Sequence, residues 1–167
     1  GVRLVGSEMC IRDRYENEAV KQFAEYADLS VIYEKCDLIT LHMPLSEDNF
    51  HIIDASAMKN MKDGVVIINT ARGSLIDTKA LIEALESGKV GAAGLDVIED
   101  ELGMYYYNRK SDILSKRDLY VLRGFPNVIV TPHMAFYTDQ AVSDMVKHSI
   151  ESCILREAGK KDPWEVV

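Results

Sequence analysis

From about Glu18 onward, apolar and polar positions alternate between two rhythms. Short β-branched and aliphatic runs, the length of a strand, recur between longer stretches whose apolar residues fall three and four apart. Asp37-Leu38-Ile39-Thr40-Leu41-His42 predicts a short buried strand, and Ala55 to Met61 a short helix. Gly64-Val65-Val66-Ile67-Ile68-Asn69-Thr70 is a continuous apolar run and predicts a strand buried on both faces. Asp77 to Ser87 predicts a helix with Asp77 as N-cap, Leu81, Ile82 and Leu85 as its apolar stripe, and Gly88 as its stop. Gly91 to Val97 predicts a strand of small residues, and Asn127 to Thr131, introduced by Pro126, predicts another. Asp139 to Ala158 predicts a long amphipathic helix. Strands separated by helices of this length imply βαβ units and a parallel sheet, an α/β fold. Glu99 to about Lys116 interrupts the rhythm with a polar and aromatic stretch that includes Tyr105, Tyr106 and Tyr107. Long loops in compact domains are often functional.

Composition narrows the class. The chain has 167 residues, 47% hydrophobic and 28% charged, enough for one domain with a real core. A net charge of −8 without a Lys/Arg run argues against nucleic acid or an anionic membrane as partner. No apolar run approaches the roughly 18 residues of a membrane span, and the N-terminus lacks the apolar core of a signal peptide. Cys10, Cys36 and Cys153 form no metal-binding spacing, so no metal is expected, and the sparse count implies reduced thiols in a cytoplasmic protein.

In open parallel sheets ligands bind beyond the carboxyl ends of the strands, so the residues that follow each strand carry the chemistry. They are His42-Met43-Pro44, then Thr70-Ala71-Arg72-Gly73, then Asp96 with Glu99, Asp100 and Glu101, then Pro132-His133. An arginine that grips an anion with two donors, several carboxylates and a proton-donating histidine are expected on one edge. Each has an ordinary alternative: a solvated arginine, a strand-capping histidine, an acidic surface loop. Convergence on one edge is what raises them together. His51 and His148 have no such placement and are expected to be structural or on the surface. Met58 and Met61 are expected in the core.

INTARGSLIDTKALIEALESGKVGAAGLDV, followed by NVIVTPHMAFYT, closely resembles the nicotinamide-binding domain of the D-isomer-specific 2-hydroxyacid dehydrogenases. The insert DELGMYYYNRKSDILSKRDLYVLRGFPN is most similar to the D-lactate dehydrogenase branch. The resemblance runs from about Tyr15 to the C-terminus. It implies NAD as cofactor, a small 2-oxo or 2-hydroxy acid as substrate, and a homodimer for the complete protein. It implies that Arg72 binds the substrate carboxylate and polarises the 2-oxo group, that His133 is the general acid/base, and that Glu101 is its paired carboxylate. Met43, Pro44, Asn49, Thr70 and Ala71 match positions lining the nucleotide site, and Asp96 an acidic position near the nicotinamide. Phe136 and Tyr137 match aromatic positions near the substrate pocket, whereas Met134 departs from the Thr or Gln common there. The physics suits these roles. Oxygen gains negative charge as hydride reaches C2 of a 2-oxo acid, Arg72 can stabilise it, and a Glu101 carboxylate beside His133 favours the imidazolium that delivers the proton. Pyruvate is the expected substrate. Alternatives are 2-oxoisocaproate, glyoxylate, hydroxypyruvate or phosphoglycerate, and, in a different class, a corepressor-like NAD-sensing binding protein.

No GxGxxG occurs in the chain. The expected fold is therefore an incomplete Rossmann-type doubly wound parallel sheet lacking the first strand and its Gly-rich turn. The family's separate substrate domain is not found in the sequence either, and the chain alone is expected to be inactive. LVGSEMCIRDR, residues 4–14, resembles one reading frame of a transposase adapter used in sequencing libraries. The expected organisation is thus a non-native segment over residues 1–14, then the C-terminal part of an NAD-binding domain with its helix and tail over residues 15–167. Asp13 falls in register with the family's ribose-binding acid, but inside the adapter-like stretch, where the match carries no functional meaning.

Overall fold

The computed structural model describes residues 9–13, 15–101, 103–105 and 116–165. In chain order the elements are β1 (Cys10–Ile11), β2 (Glu25–Tyr26), α1 (Leu29–Lys35), β3 (Leu38–Leu41), α2 (Ala55–Asn60), β4 (Val65–Asn69), α3 (Thr78–Glu86), β5 (Val90–Leu95), α4 (Arg117–Gly124), β6 (Val128–Val130) and α5 (Asp139–Glu157). Strands β3 to β6 form one sheet in sequence order, with every pairing parallel. Parallel neighbours need a crossover between them, and α2, α3 and α4 lie on the three connections. β1 and β2 form a separate parallel pair. The expected α/β, Rossmann-type architecture is what the chain adopts.

The chain divides into two units, Gly1–Pro132 and His133–Val167. The core of the first joins Ile39, Leu41, Val65, Ile67, Val90 and Leu95 of the sheet to Met58, Leu81, Leu85 and Leu122 of the helices. Local signals account for the element ends. Asp77 accepts the amides of Lys79 and Ala80 as the N-cap of α3, and Asp54 accepts the Ala57 amide at the start of α2. Gly88 ends α3 in the left-handed region, φ +77°. The small residues of β5 also have a packing cause: a Cβ on Gly91 would stand 2.5 Å from the Gly64 carbonyl oxygen.

One expectation is corrected. In β4, Val65, Ile67 and Asn69 are buried, but Val66 and Ile68 are only half-buried. α1 packs on α2, α2 on α3 and α3 on α4, so these helices form one row and cover one face of the sheet. α5 contains no buried residue, and its apolar side chains Met145, Val146, Ile150 and Ile154 are exposed. The second unit has little besides α5 and a short tail, whose Trp164 stacks on His148 at 4.4 Å. Tyr106 and Tyr107, most of the aromatic stretch, and residues 1–8 and 14 of the adapter-like segment lie outside the described residues. Among the described residues no helix is long and apolar enough to cross a membrane.

Candidate active site on the carboxyl edge of the sheet

Because β3 to β6 run parallel, their carboxyl ends share one edge. The turn after β4 is built from beneath. Asn69, the last residue of the strand, is fully buried. Its Oδ1 accepts the Ala71 amide at 3.0 Å and its Nδ2 donates to the Arg72 carbonyl at 2.8 Å. The brace leaves Thr70 and Arg72 exposed and Ala71 buried. Arg72 Nη1 donates to the Ala71 carbonyl at 2.6 Å. A guanidinium carries five N–H donors in a fork that suits a carboxylate.

Gly73 ties this turn to the acidic one. A Cβ there would stand 2.1 Å from the Ile98 carbonyl carbon and 2.6 Å from the Glu99 nitrogen. Only glycine lets the two backbones pass so closely. The carboxylates after β5 differ in their surroundings. Asp96 is buried and accepts the Thr131 hydroxyl at 2.5 Å, while the Thr131 amide donates to Leu95 at 2.9 Å. Glu99 accepts His51 Nε2–H at 2.6 Å and the Thr78 amide at 2.8 Å. Burial pushes the Glu99 carboxyl upward, but the hydrogen bonds from His51 and Thr78 outweigh it and hold the group below the ordinary carboxylate value. Glu101 folds back so that Oε2 accepts the Ile98 amide at 3.2 Å.

After β3, Met43 is half-buried against the core and Pro44 is exposed. Asn49 shapes the loop that follows, donating to the Pro44 carbonyl at 2.8 Å and accepting the Ser46 amide at 2.7 Å. His133, Phe136 and Tyr137 belong to the second unit. His133 adopts φ +49°, and the rings of Phe136 and Tyr137 meet edge to face at 6.1 Å. The first unit thus assembles Arg72, Asp96 and Glu101 with Met43, Pro44, Asn49, Thr70 and Ala71 on one edge. The histidine stands in its own unit, one residue past the end of the first.

Sequence reasoning missed Asn69 and Thr131 as builders of this edge, and it placed Gly73 and Glu99 there without the close contact that joins their two turns. A polar residue closing an otherwise apolar run was the available signal for Asn69. It placed His51 as structural or on the surface. The structure makes it a half-buried link between Glu99 and Asp77, whose Oδ2 lies 3.9 Å from His51 Nδ1.

A parallel α/β sheet with its functional loops gathered at the carboxyl edge is the architecture of Rossmann-type nucleotide-binding domains. Residues 2–135 match the family described as D-isomer specific 2-hydroxyacid dehydrogenase, NAD binding domain. The chain belongs to this family, and the fold above is its NAD-binding domain. It is 50% identical to an aromatic 2-oxoacid reductase of Clostridium sporogenes over 135 residues, 81% of this chain and 41% of the relative. A D-lactate dehydrogenase from Treponema pallidum superposes with TM-score 0.91 at 34% identity, over 98% of this chain and 49% of that one. A D-lactate dehydrogenase from Lactobacillus jensenii crystallised with NAD+ gives TM-score 0.88 at 35% identity, over 97% and 49%. The chain therefore spans about half the length of the relatives it matches. The edge fits a nucleotide cofactor: Met43 offers half-exposed apolar surface, Thr70 is exposed, and Asp96 is a buried carboxylate fixed by Thr131.

Proposed function

We propose that the complete protein reduces a 2-oxo acid to the D-2-hydroxy acid, as a homodimer, and that this chain supplies part of its NAD-binding domain. The observation that carries the reading is the clamp at Gly73, which fixes the exposed arginine turn against the acidic turn. NAD, when bound, supplies or accepts the hydride. Met43, Pro44, Asn49, Thr70, Ala71 and Asp96 would hold its nicotinamide and ribose. Arg72 grips the substrate carboxylate and stabilises charge developing on the 2-oxo oxygen. His133 delivers the proton to that oxygen, and Glu101 is its paired carboxylate; both roles rest on their match to the family motifs. Phe136 and Tyr137 line the substrate side.

Pyruvate fits the insert's likeness to the lactate branch. A second substrate reading, an aromatic 2-oxo acid, is favoured by the 50% identity to the aromatic 2-oxoacid reductase. The decisive experiment expresses the full-length protein and follows NADH oxidation with pyruvate and with phenylpyruvate. Turnover of either, falling about 100-fold or more in Arg72→Gln and in His133→Ala, supports the reading. A protein that binds NADH, turns over neither acid and recruits a partner would be a nucleotide sensor instead.

We also infer that residues 1–14 take no part in this function. β1 meets β2 through main-chain hydrogen bonds, Glu25 to Met9 and Ala27 to Ile11, each 2.9 Å. Such bonds are open to almost any sequence. An adapter-independent read of the source DNA that still encodes these residues would refute the inference.

A further inference from the structure

We propose that His51 is a positioning residue for Glu101, acting through Glu99; the inference rests on the function proposed above. Three anchors from separate parts of the chain converge on residues 98–101. His51, from the loop before α2, bonds one oxygen of Glu99 at 2.6 Å. Thr78, the first residue of α3, gives its amide to the other oxygen at 2.8 Å. Gly73 lets the backbone of Ile98 and Glu99 lie against the arginine turn. Glu99 thereby satisfies one of the orphan N–H groups of α3, next to the Asp77 cap. His51 is itself held: its amide donates to the Ser74 carbonyl at 2.9 Å and its ring stacks on Phe50 at 3.9 Å.

The backbone shows why the anchoring matters. Among the described residues the non-glycine positions with positive φ are His51 at +52°, Asp100 at +54° and His133 at +49°. A side chain in this region costs about 1–2 kcal/mol and persists only where the surroundings over-determine it. Asp100 stands between Glu99 and Glu101, and its left-handed turn sends their carboxylates different ways. Glu99 goes to His51 and α3, and Glu101 goes back to the Ile98 amide. On the far side Lys116 donates to the Asp100 carbonyl at 2.7 Å. Removing the His51 bond frees the Glu99 end of a strained turn, and Glu101 moves with it. Asn69 braces Arg72 independently, so substrate grip should survive when proton delivery suffers.

The test uses the full-length protein with NADH and the better of pyruvate and phenylpyruvate, comparing wild type, His51→Ala, His51→Gln and Glu99→Gln. NADH binding and far-UV circular dichroism serve as fold controls. In His51→Ala, kcat is expected to fall about 10-fold while KM for the 2-oxo acid stays within about twofold, because misplacement of a proton-transfer group acts on the chemical step. His51→Gln, which can still donate to Glu99, should recover most of the loss, and Glu99→Gln should resemble His51→Ala. Equal losses in the Ala and Gln variants, a KM that rises as much as kcat falls, or no loss in any variant, overturn the positioning role. Absence of turnover in wild type overturns the proposed function itself, and this inference with it.

Discussion

In β4, Ile67 lies at 0% exposure between two parallel neighbours; in α5 the same side chain, Ile150, is 56% exposed. The two elements reach order by different routes. β4 draws its hydrogen bonds from β3 and β5 and its packing from the helices on one face. α5 satisfies itself locally: Thr138 caps its start by accepting the Ala141 amide, Lys147 and Glu151 pair one turn apart at 4.0 Å, and Gly159 at φ +64° follows its end. The difference teaches where sequence change is costly. In the sheet unit a side chain answers to residues far away in sequence, and in α5 mostly to residues within a turn, the His148 stack on Trp164 apart.

The sharpest way to break the contrast is a pair of truncations followed by urea denaturation. Ile67→Ala should cost about 2–5 kcal/mol, because it opens a cavity in a filled core. Ile150→Ala should stay within about 0.5 kcal/mol. Similar losses would erase the distinction. Trp164, the one tryptophan, reports on the second unit by fluorescence while circular dichroism reports on the whole chain.

Next in size is Gly73→Ala. The added methyl has backbone, not a flexible side chain, in its way, so a loss of about 1–3 kcal/mol is expected. Activity of the full-length protein should fall further than stability alone explains. A smaller loss than that of Gly73→Ala is expected for Glu99→Gln, about 1 kcal/mol at neutral pH. Its sign follows from the depressed carboxyl. The native state favours the charged form, so the stabilisation is present above the unfolded carboxylate value and lost as pH falls through the folded one. The wild-type and Glu99→Gln stabilities, measured by thermal melts down the acid range, should therefore converge. A gap that widens with acid would contradict the hydrogen-bonded, charged Glu99 seen beside α3.

Much of the sheet was legible because its signals are local. The apolar run of β4, the Asp77 cap, the Gly88 stop and the small residues of β5 each announce themselves within a few positions. The arginine and acidic turns could be placed on one edge once the strands were known to be parallel. What stayed hidden depends on distance along the chain. His51 and Glu99 are 48 residues apart, and nothing near either names the other. α4, whose Leu119 and Leu122 are buried, went unread because it follows directly on the polar, aromatic stretch. The half-covered face of β4 stayed hidden because a continuous apolar run reads the same whether one face or both are covered.

The contact at Gly73 also bears on how such a site can be altered. At Gly73 the arginine turn and the acidic turn meet main chain to main chain, so close that a single Cβ would collide with Ile98 and Glu99. They therefore form one inheritable cassette. A graft that moves residues 69–73 into another scaffold has to carry residues 96–101 with it.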